Sequence, residues 1–575
     1  MQKPLEGLVA VAQRQKKAHI VIKNAEVYNV FTKTFRLAEV AIYGGYIAAI
    51  GAGYHGEEEV DAQGAMLVPG FVDGHVHIES GMAMPQEYAR TLVALGTTTI
   101  IADPHEIANV AGIAGIEYML EATENAPINA YFMLPSCVPA SPLEMGGHAL
   151  EAAHLAPLLA HPRVLGLGEM MNYPGVLAGD AGVMAKLRMA EGRPIDGHAP
   201  ALKGDALQAY AAAGIRSDHE CLLPEEAQAR LENGMAVMLR EGSATRNLLS
   251  LLAVVNDATV PYCFFATDDR HPEDLEQRGH INHMVRLAQE DGRVNLPNIL
   301  NMACFNAARH FGLRDIGAIA PGYRADLALF PKNSNWRPSH VWKSGTLAAH
   351  NGKALGTCRA VNEQAVRGSM HLPPLGPQHL RVPATSNKAR VIGTIAEQVV
   401  TQKLVMELPQ EAGCFVPDPA NDVAKIAVFE RHRGSGNVGV GFIKGLGLQQ
   451  GAVASTIAHD SHNLVVVGMD DASILLAAQE LQRIDGGLAI ACQGRVVASL
   501  PLPLAGLLSD KPMKELTICL KDMHNAVREL GLAQGNDPFM TLAFMSLPVI
   551  PHLKITERGL VDVDAFTVVP VSVAP

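Results

Sequence analysis

The chain has 575 residues, too many for one ordinary hydrophobic core, which predicts two or three domains. Hydrophobic residues make up 48% and aromatic residues 5%, with 53 glycines and 35 prolines. This composition is typical of a globular α/β protein with many tight turns, and it excludes a fibrous or disordered chain. The formal net charge of −12 argues against nucleic acid or an anionic membrane as a partner, and so favours a small-molecule substrate.

Cysteine usage and the N-terminus bear on the cellular compartment. Eight cysteines are scattered without a CxxC pair, which favours a reducing environment. The first twenty residues carry only a short apolar run followed by basic residues, so no secretory signal is expected. The longest uncharged apolar run, residues 496–509, is too short to cross a bilayer. We therefore expect a cytoplasmic protein.

Two flanking regions show the pattern of β-strands. Residues 18–66 alternate apolar and polar residues in short runs separated by glycine turns. The same pattern returns later, in "GAIAPGYRADLALFPK" and "HVWKSGTLAAHNGK". The sequence thus predicts one small β-sandwich built from residues 1–67 and 317–369.

Between the flanks, residues 68–316 repeat one pattern. Short apolar or β-branched runs recur roughly every 20 to 35 residues, separated by Ala/Leu/Glu-rich stretches with helical spacing. Strands that alternate with helices over about 250 residues predict a (β/α)₈ barrel. The eight runs are "LVPGFVDGHVH", "TTTIIADPHE", "INAYFMLPSCVP", "RVLGLGEM", "PIDGHAP", "GIRSDHE", "MAVMLREG" and "YCFFATDD".

The rest of the chain predicts a linker at residues 370–386, which is rich in proline, and a separate C-terminal α/β domain at residues 387–575. This domain contains "HDSHN" at residues 459–463. The segment could cover the barrel mouth, add metal ligands through His459 and His462, or serve domain packing. It does not predict a Ser/His/Asp triad, because adjacency in sequence says nothing about the geometry of a triad.

Residue types that bind metals stand at the C-terminal ends of five of the eight runs, where the loops of such a barrel build an active site. Imidazole and carboxylate suit Mn²⁺, Fe²⁺ or Zn²⁺, and six donors are enough for two ions with a bridging carboxylate. Two such ions activate a shared water for attack on an electrophilic carbon. The predicted ligands are His75 and His77 on strand one, Glu169 on strand four, His198 on strand five, His219 on strand six and Asp268 on strand eight.

Each of these residues also has an ordinary alternative. Most of the 23 histidines should be structural or exposed, and Glu169 could cap the helix that follows it. What favours a metal site is the order of ligand types, each at the end of a separate predicted strand.

The motifs carry a resemblance over residues 18–355. "PGFVDGHVHIES", "DPHE", "GEMMNYPGV", "DGHAP", "DHE", "TDD" and "APGYRADLAL" resemble the amidohydrolase superfamily of metal-dependent hydrolases. Within it the chain resembles the long bacterial adenine deaminases, whose C-terminal domain also carries "HDSHN". The resemblance implies hydrolysis of adenine to hypoxanthine and ammonia in purine salvage or catabolism. It also implies two divalent ions per chain, Mn²⁺ ahead of Fe²⁺ or Zn²⁺, and we further expect a homodimer.

The resemblance assigns roles to two of the ligands. Many relatives bridge their metals with a carboxylated lysine at the end of strand four, but "VLGLGEMMNYPG" has no lysine, so Glu169 would take that place. Asp268 would both bind metal and accept the proton of the attacking water. One departure from the family is Asn172, where relatives often have Asp, and it changes the charge beside Glu169. The PCxxC motif of the other nucleobase deaminase fold is absent from the sequence.

The chemistry of deamination also requires an acid. Water must attack C6 of the purine while a proton reaches ring nitrogen N1. "DPHE", after strand two, offers Asp103, His105 and Glu106, and Glu106 is the first choice for N1. The alternative is that Glu106 is a first-turn acid favoured by the helix dipole.

Substrate contacts are expected from "REGSATRN" after strand seven, namely Arg240, Glu241 and Ser243, with salt bridges and helix capping as their alternative roles. Two other functions stay open. One is hydrolysis of another cyclic amide or imide, such as a dihydropyrimidine or a hydantoin. The other is a non-catalytic assembly protein, which the six intact ligands argue against.

Overall fold

The computed structural model describes residues 3–395, 398–532 and 537–574. In the described part of the chain, no helix has both the length and the apolar character needed to cross a membrane.

Five strands precede the barrel, and the first of them forms an antiparallel pair with the second. These five strands are β1 (Ala18–Asn29), β2 (Thr34–Tyr43), β3 (Tyr46–Gly51), β4 (Gly56–Asp61) and β5 (Met66–Pro69).

Eight parallel strands follow and close into a ring. From β6 to β10, each strand is hydrogen-bonded to the next strand in the chain, and the same holds from β11 to β13. Arg216 N–H donates to Ile195 O (3.0 Å), and Val76 pairs in parallel with Asp268, so the two parts meet at both edges. The predicted (β/α)₈ barrel is confirmed. Its strands are β6 (Phe71–Val76), β7 (Thr97–Ala102), β8 (Asn129–Leu134), β9 (Val164–Met170), β10 (Ile195–Gly197), β11 (Ser217–Asp218), β12 (Ala236–Arg240) and β13 (Cys263–Ala266).

Strands after the barrel return to the first sheet. β14 pairs antiparallel with β5, so strands from both flanks share one nine-stranded sheet. The predicted meeting of the two flanks is thereby confirmed, and it ties the start of the barrel to its end. The returning strands are β14 (Leu327–Phe330), β15 (His340–Lys343), β16 (Thr346–His350) and β17 (Lys353–Ala354).

The C-terminal region is built on an eight-stranded sheet in the order β19-β18-β23-β22-β25-β24-β26-β27. It shares one buried hydrophobic cluster with the barrel, in which Val453 and Leu508 belong together with Ile107 and Leu134. The exact domain boundaries stay a prediction. The strands are β18 (Lys388–Gly393), β19 (Gln402–Glu407), β20 (Gln410–Glu411), β21 (Cys414–Phe415), β22 (Val423–Phe429), β23 (Val438–Lys444), β24 (Ala452–Ser455), β25 (Leu464–Gly468), β26 (Gly487–Cys492), β27 (Arg495–Pro501), β28 (Leu553–Thr556), β29 (Gly559–Asp562) and β30 (Thr567–Val569).

Helices cover the outside of the barrel, and helices also pack against the C-terminal sheet. Strands β6 and β7 are buried at every residue, because the barrel interior covers one side and the helices cover the other. The α-helices are α1 (Leu5–Ala12), α2 (Pro85–Ala94), α3 (His105–Ala122), α4 (Ala152–Leu155), α5 (Tyr173–Ala178), α6 (Ala181–Met189), α7 (Gly204–Ala212), α8 (Pro224–Glu232), α9 (Leu248–Leu251), α10 (Pro272–Gln277), α11 (Ile281–Asp291), α12 (Leu296–Ala303), α13 (Phe305–His310), α14 (Asp471–Arg483), α15 (Met513–Glu529) and α16 (Pro538–Ala543).

Candidate metal centre

The six predicted ligands meet at the C-terminal end of the barrel. His75 lies within β6 and His77 just after it, and the backbone N–H of Asp268 donates to His75 O (2.9 Å). This bond fixes the end of the eighth strand against the first. Side chains on alternate strand positions share a face, so the Nε2 atoms of His75 and His77 lie only 3.2 Å apart.

Glu169, at the end of β9, stands between two pairs of histidines. Its Oε1 lies 3.3 Å from His77 Nε2 and 3.7 Å from His75 Nε2. Its Oε2 lies 2.6 Å from His198 Nδ1 and 3.3 Å from His219 Nε2. Burial would raise the pKa of Glu169, but His198 and His219 hold it well below its usual range. The carboxylate therefore stays ionised, with one oxygen for each histidine pair.

Asp268 completes the cluster from the opposite side. Its Oδ1 lies 3.1 Å from His77 Nε2 and 3.7 Å from His75 Nε2, while Arg240 donates to its Oδ2 (2.7 Å). Burial would raise the pKa of Asp268, but the Arg240 guanidinium and the two histidines hold it well below its usual range. One oxygen is thus anchored and the other faces the imidazole rings.

These donors fit divalent metal ions. If two nitrogens each lie about 2.1 Å from one ion and form an angle of about 100° at it, they are about 3.2 Å from each other. The Nε2 atoms of His75 and His77 have this spacing. A neutral imidazole offers one lone pair and an ionised carboxylate offers several, so these side chains can supply the ligand atoms that an ion needs. His75, His77 and Glu169 form one possible three-residue ligand group, and Glu169, His198 and His219 form another.

Asp103 holds two of the ligands in place. Its Oδ2 accepts a hydrogen bond from the Glu169 N–H (3.0 Å), and its carbonyl oxygen lies 3.0 Å from His77 Nδ1. A partner at Nδ1 orients the ring so that Nε2 faces the cluster. Asp103, which with His105 is the predicted alternative to Glu106 as the acid, is thus placed to position ligands.

Gly168 leaves room for this contact. A Cβ atom at residue 168 would lie 1.9 Å from Asp103 Oδ2. We therefore expect Gly168→Ala to displace the Asp103 carboxylate, with a metal affinity lower by roughly 10- to 100-fold. Metal titration of the apoprotein measures this loss. Gly51→Ala is the control, since its Cβ would meet Tyr54 at an ordinary 3.5 Å. Equal affinities for the two variants would contradict the role of Asp103.

The first turn of α3 brings His105 and Glu106 to the same rim. His105 Nδ1 lies 3.5 Å from Glu169 Oε1, and its ring packs edge-on to His77 at 4.6 Å. Glu106 is 1% exposed, and its Oε1 lies 3.3 Å from the Ser80 hydroxyl oxygen. Glu106 is therefore a first-turn residue, as the alternative states, yet its carboxyl group lies inside the protein.

The three predicted substrate contacts lie in different settings. Arg240 is buried and binds Asp268 and Glu220, while Ser243 Oγ donates to Asp274 Oδ2 (2.6 Å). Burial raises the pKa of Glu241 to about 7. The structure thus brings Arg240 to the metal cluster, whereas Ser243 is engaged in the loop.

Several residues at the site were missed by the sequence prediction. Glu79, Asp269 and Glu220 stand within the quoted motifs "HIES", "TDD" and "DHE", but the predicted ligands are other residues of the same motifs. Glu220 Oε1 lies 3.6 Å from His219 Nε2. Asp460, in the C-terminal domain, places Oδ1 3.7 Å from His105 Nε2. Only the HDSHN motif could have indicated it.

The departure at Asn172 is explained locally. Its side-chain oxygen accepts a hydrogen bond from Gly175 N–H (2.9 Å) and caps α5. An amide oxygen caps a helix as well as a carboxylate oxygen does, so this position loses no local function.

Comparisons with known proteins agree with this geometry. Residues 66–348 match the amidohydrolase family, and residues 398–567 match the adenine deaminase C-terminal domain. Adenine deaminase 2 of Carboxydothermus hydrogenoformans is 56% identical over 99% of this chain and 100% of that protein. The chain belongs to the adenine deaminase family.

Two further members show the same full-length match. The adenine deaminase of Desulfatibacillum aliphaticivorans is 45% identical over 98% of this chain and 99% of its own length. That of Nitratidesulfovibrio vulgaris is 46% identical over 99% of both chains. The predicted family is confirmed, and with it the enzyme class, a hydrolase that acts on C–N bonds.

Proposed function

We propose that this enzyme hydrolyses adenine to hypoxanthine and ammonia with two divalent ions per chain, Mn²⁺ ahead of Fe²⁺ or Zn²⁺. The observation that carries the proposal is Glu169, whose two oxygens face two separate pairs of histidines. Relatives named adenine deaminases match the chain from end to end. Purine salvage or catabolism in the cytoplasm, by a homodimer, belongs to the same proposal.

Two ions are favoured over one because the ligand groups overlap. One group contains His75 and His77, the other His198 and His219, and both contain Glu169. A single ion would leave buried donors without a partner, which is costly for polar groups out of contact with water. Asp268 faces the first group.

Different site residues carry out the different proton transfers of deamination. Divalent ions held by the six ligands would supply an activated water at neutral pH. As the water oxygen bonds to C6, Asp268 takes its proton through Oδ1, the oxygen that Arg240 does not hold. Glu106 protonates N1, the proton held by Asp268 passes to the amino group, and the C6–N bond breaks as ammonia leaves, while the proton remaining on the product oxygen returns to Glu106. Adenine and water then balance hypoxanthine and ammonia.

Glu106 is suited to hold a proton that it can deliver to the substrate. Burial raises the pKa of its carboxyl well above the usual range, and the negative charges of Glu79 and Asp269 raise it further. Ser80 Oγ donates to Asp269 Oδ1 (2.5 Å), so its oxygen can accept from a protonated Glu106. A neutral carboxylic acid inside the site is therefore available to the purine ring.

The preference of the enzyme among candidate substrates tests this proposal. We expect the Mn²⁺-reconstituted enzyme to release ammonia from adenine with a kcat/KM at least about 10²-fold above that for adenosine, because ribose would have to fit between the barrel mouth and the C-terminal domain. Steady-state ammonia release from adenine, adenosine, a dihydropyrimidine and a hydantoin measures this, with Glu169→Gln protein as the blank. A preference for adenosine, or turnover of a cyclic amide alone, would contradict it.

A further inference from the structure

The C-terminal domain supplies part of the active-site wall. Two side chains of its HDSHN segment reach the rim of the barrel, and both are at least 97% buried. Asp460 Oδ1 lies 3.7 Å from His105 Nε2, and His462 Nε2 lies 3.6 Å from Glu106 Oε2. A group more than 350 residues away in sequence thus faces the proposed proton donor.

The backbone fixes which nitrogen of His462 carries a proton. The Ala458 N–H donates to His462 Nδ1 (3.2 Å), so Nδ1 is the acceptor and the neutral ring must carry its proton on Nε2. Among the described residues, Nε2 has no hydrogen-bond partner. His462 therefore presents a buried, unpaired N–H donor to Glu106.

The segment that carries His462 is held rigidly. The His462 carbonyl accepts from Arg431 Nε (2.5 Å), and the His462 N–H donates to Ala458 O (2.7 Å). Asn463 Nδ2 donates across the domain interface to Met145 O (2.9 Å). The position of the donor is thus set by both domains.

The alternative role of these side chains is to bind a third metal ion. Glu106, His459 and His462 have potential ligand atoms within 4.8 Å of one another. A ligand needs a free lone pair, however, and the Ala458 N–H leaves a proton on His462 Nε2. The geometry favours a hydrogen-bond donor at this point over an ion.

We propose that His462 is a positioning residue for Glu106: its Nε2–H donates to the carboxylate that forms when Glu106 has protonated the substrate. The inference rests on the proposed function. A hydrogen bond to an ionised carboxylate is stronger and shorter than one to a neutral acid, so the contact stabilises the transition state more than the resting enzyme. The C-terminal domain then takes part in the proton transfer.

Two reciprocal variants test the proposal. Asn keeps an acceptor near the Nδ1 position but loses the distal donor, and it tolerates the φ of 50° at residue 462. Gln places an N–H near Nε2 but loses the acceptor for the Ala458 N–H. We expect His462→Asn to lower kcat by about 10- to 100-fold with KM and metal content unchanged, and His462→Gln to stay within about threefold of wild type. His462→Ser, a second variant without the distal donor, should resemble His462→Asn.

A double-mutant cycle with Glu106→Gln separates positioning from general support of the fold. A residue that acts through Glu106 has nothing left to support there, so His462→Asn should cost no further activity in that background. Thr556→Val, which removes the hydrogen bond from Thr556 Oγ1 to Leu143 O (2.9 Å) at the same interface, is the control and should keep the wild-type kcat.

Three results would overturn the inference alone, in an enzyme that is active on adenine. One is a His462→Gln that is poorer than His462→Asn, which would indicate that the ring only holds its loop. Another is an additive loss in the Glu106→Gln background. The third is a third ion per chain that His462→Asn removes. A wild-type enzyme that releases no ammonia from adenine would instead overturn the proposed function, and this inference with it.

Discussion

Glu169→Gln is expected to lose activity by about 10³-fold or more, together with bound metal. The carboxylate offers one oxygen to His75 and His77 and the other to His198 and His219. An amide replaces one oxygen with an N–H₂ group that has no lone pair for an ion, so one half of the cluster loses its shared ligand. Elemental analysis beside steady-state kinetics measures both losses, and the wild-type enzyme should hold about two ions per chain.

Glu144→Gln is the matched control. Glu144 is equally buried but lies outside the six ligands, and burial with the charges of Asp460 and Glu557 raises its pKa well above the usual range. Because a protonated carboxyl resembles an amide, this variant should keep its metal and its rate. Full activity of the wild-type enzyme with one tightly bound ion would contradict the bridging role of Glu169.

Glu106→Gln is expected to keep its metal content and to lower kcat by roughly 10²- to 10⁴-fold, the range for loss of a general acid. The amide fills the same space beside Ser80 but cannot deliver a proton to N1. Since the wild-type acid must be protonated, kcat/KM should fall as the pH rises through its raised pKa, and the variant should lack this decline. The pH profile and the metal content are measured on the same preparations.

Two comparisons make this result specific. Glu117→Gln changes an exposed glutamate of the same helix, α3, and should be neutral. His219→Asn should lose metal and activity together, because it removes a proposed ligand. A Glu106→Gln enzyme that turned over adenine at a near wild-type rate would exclude Glu106 as the donor and leave His105 and Asp103 as the next candidates.

The sequence by itself was enough to predict the barrel and its six candidate ligands. The eight strands are short buried runs, and in a parallel barrel all of them end on one rim. The position of a residue at the end of a run therefore predicts both the strand that carries it and the rim on which it lies. Examples are Glu169 in "GLGEM" and Asp268 in "TDD". Alternation and glycine turns predict the flanking strands in the same way.

Only the tertiary structure decided how these side chains share their contacts. It showed that Arg240 anchors one oxygen of Asp268 and that Asp103 holds the backbone of Glu169. Such contacts depend on side-chain rotamers and on packing between non-neighbouring strands. No periodicity in the chain encodes them.

The same holds for the C-terminal domain. Its HDSHN segment was visible as a motif, but the sequence left open whether it was a cover, a metal site or a packing element. The packing of the C-terminal domain against the barrel brought His462 to Glu106 and Asp460 to His105. The Ala458 N–H determined which nitrogen of the His462 ring carries the proton. Local sequence determines strands and helices because their hydrogen bonds are mostly local or regular, whereas a contact across more than 350 residues exists only when two separately built surfaces meet.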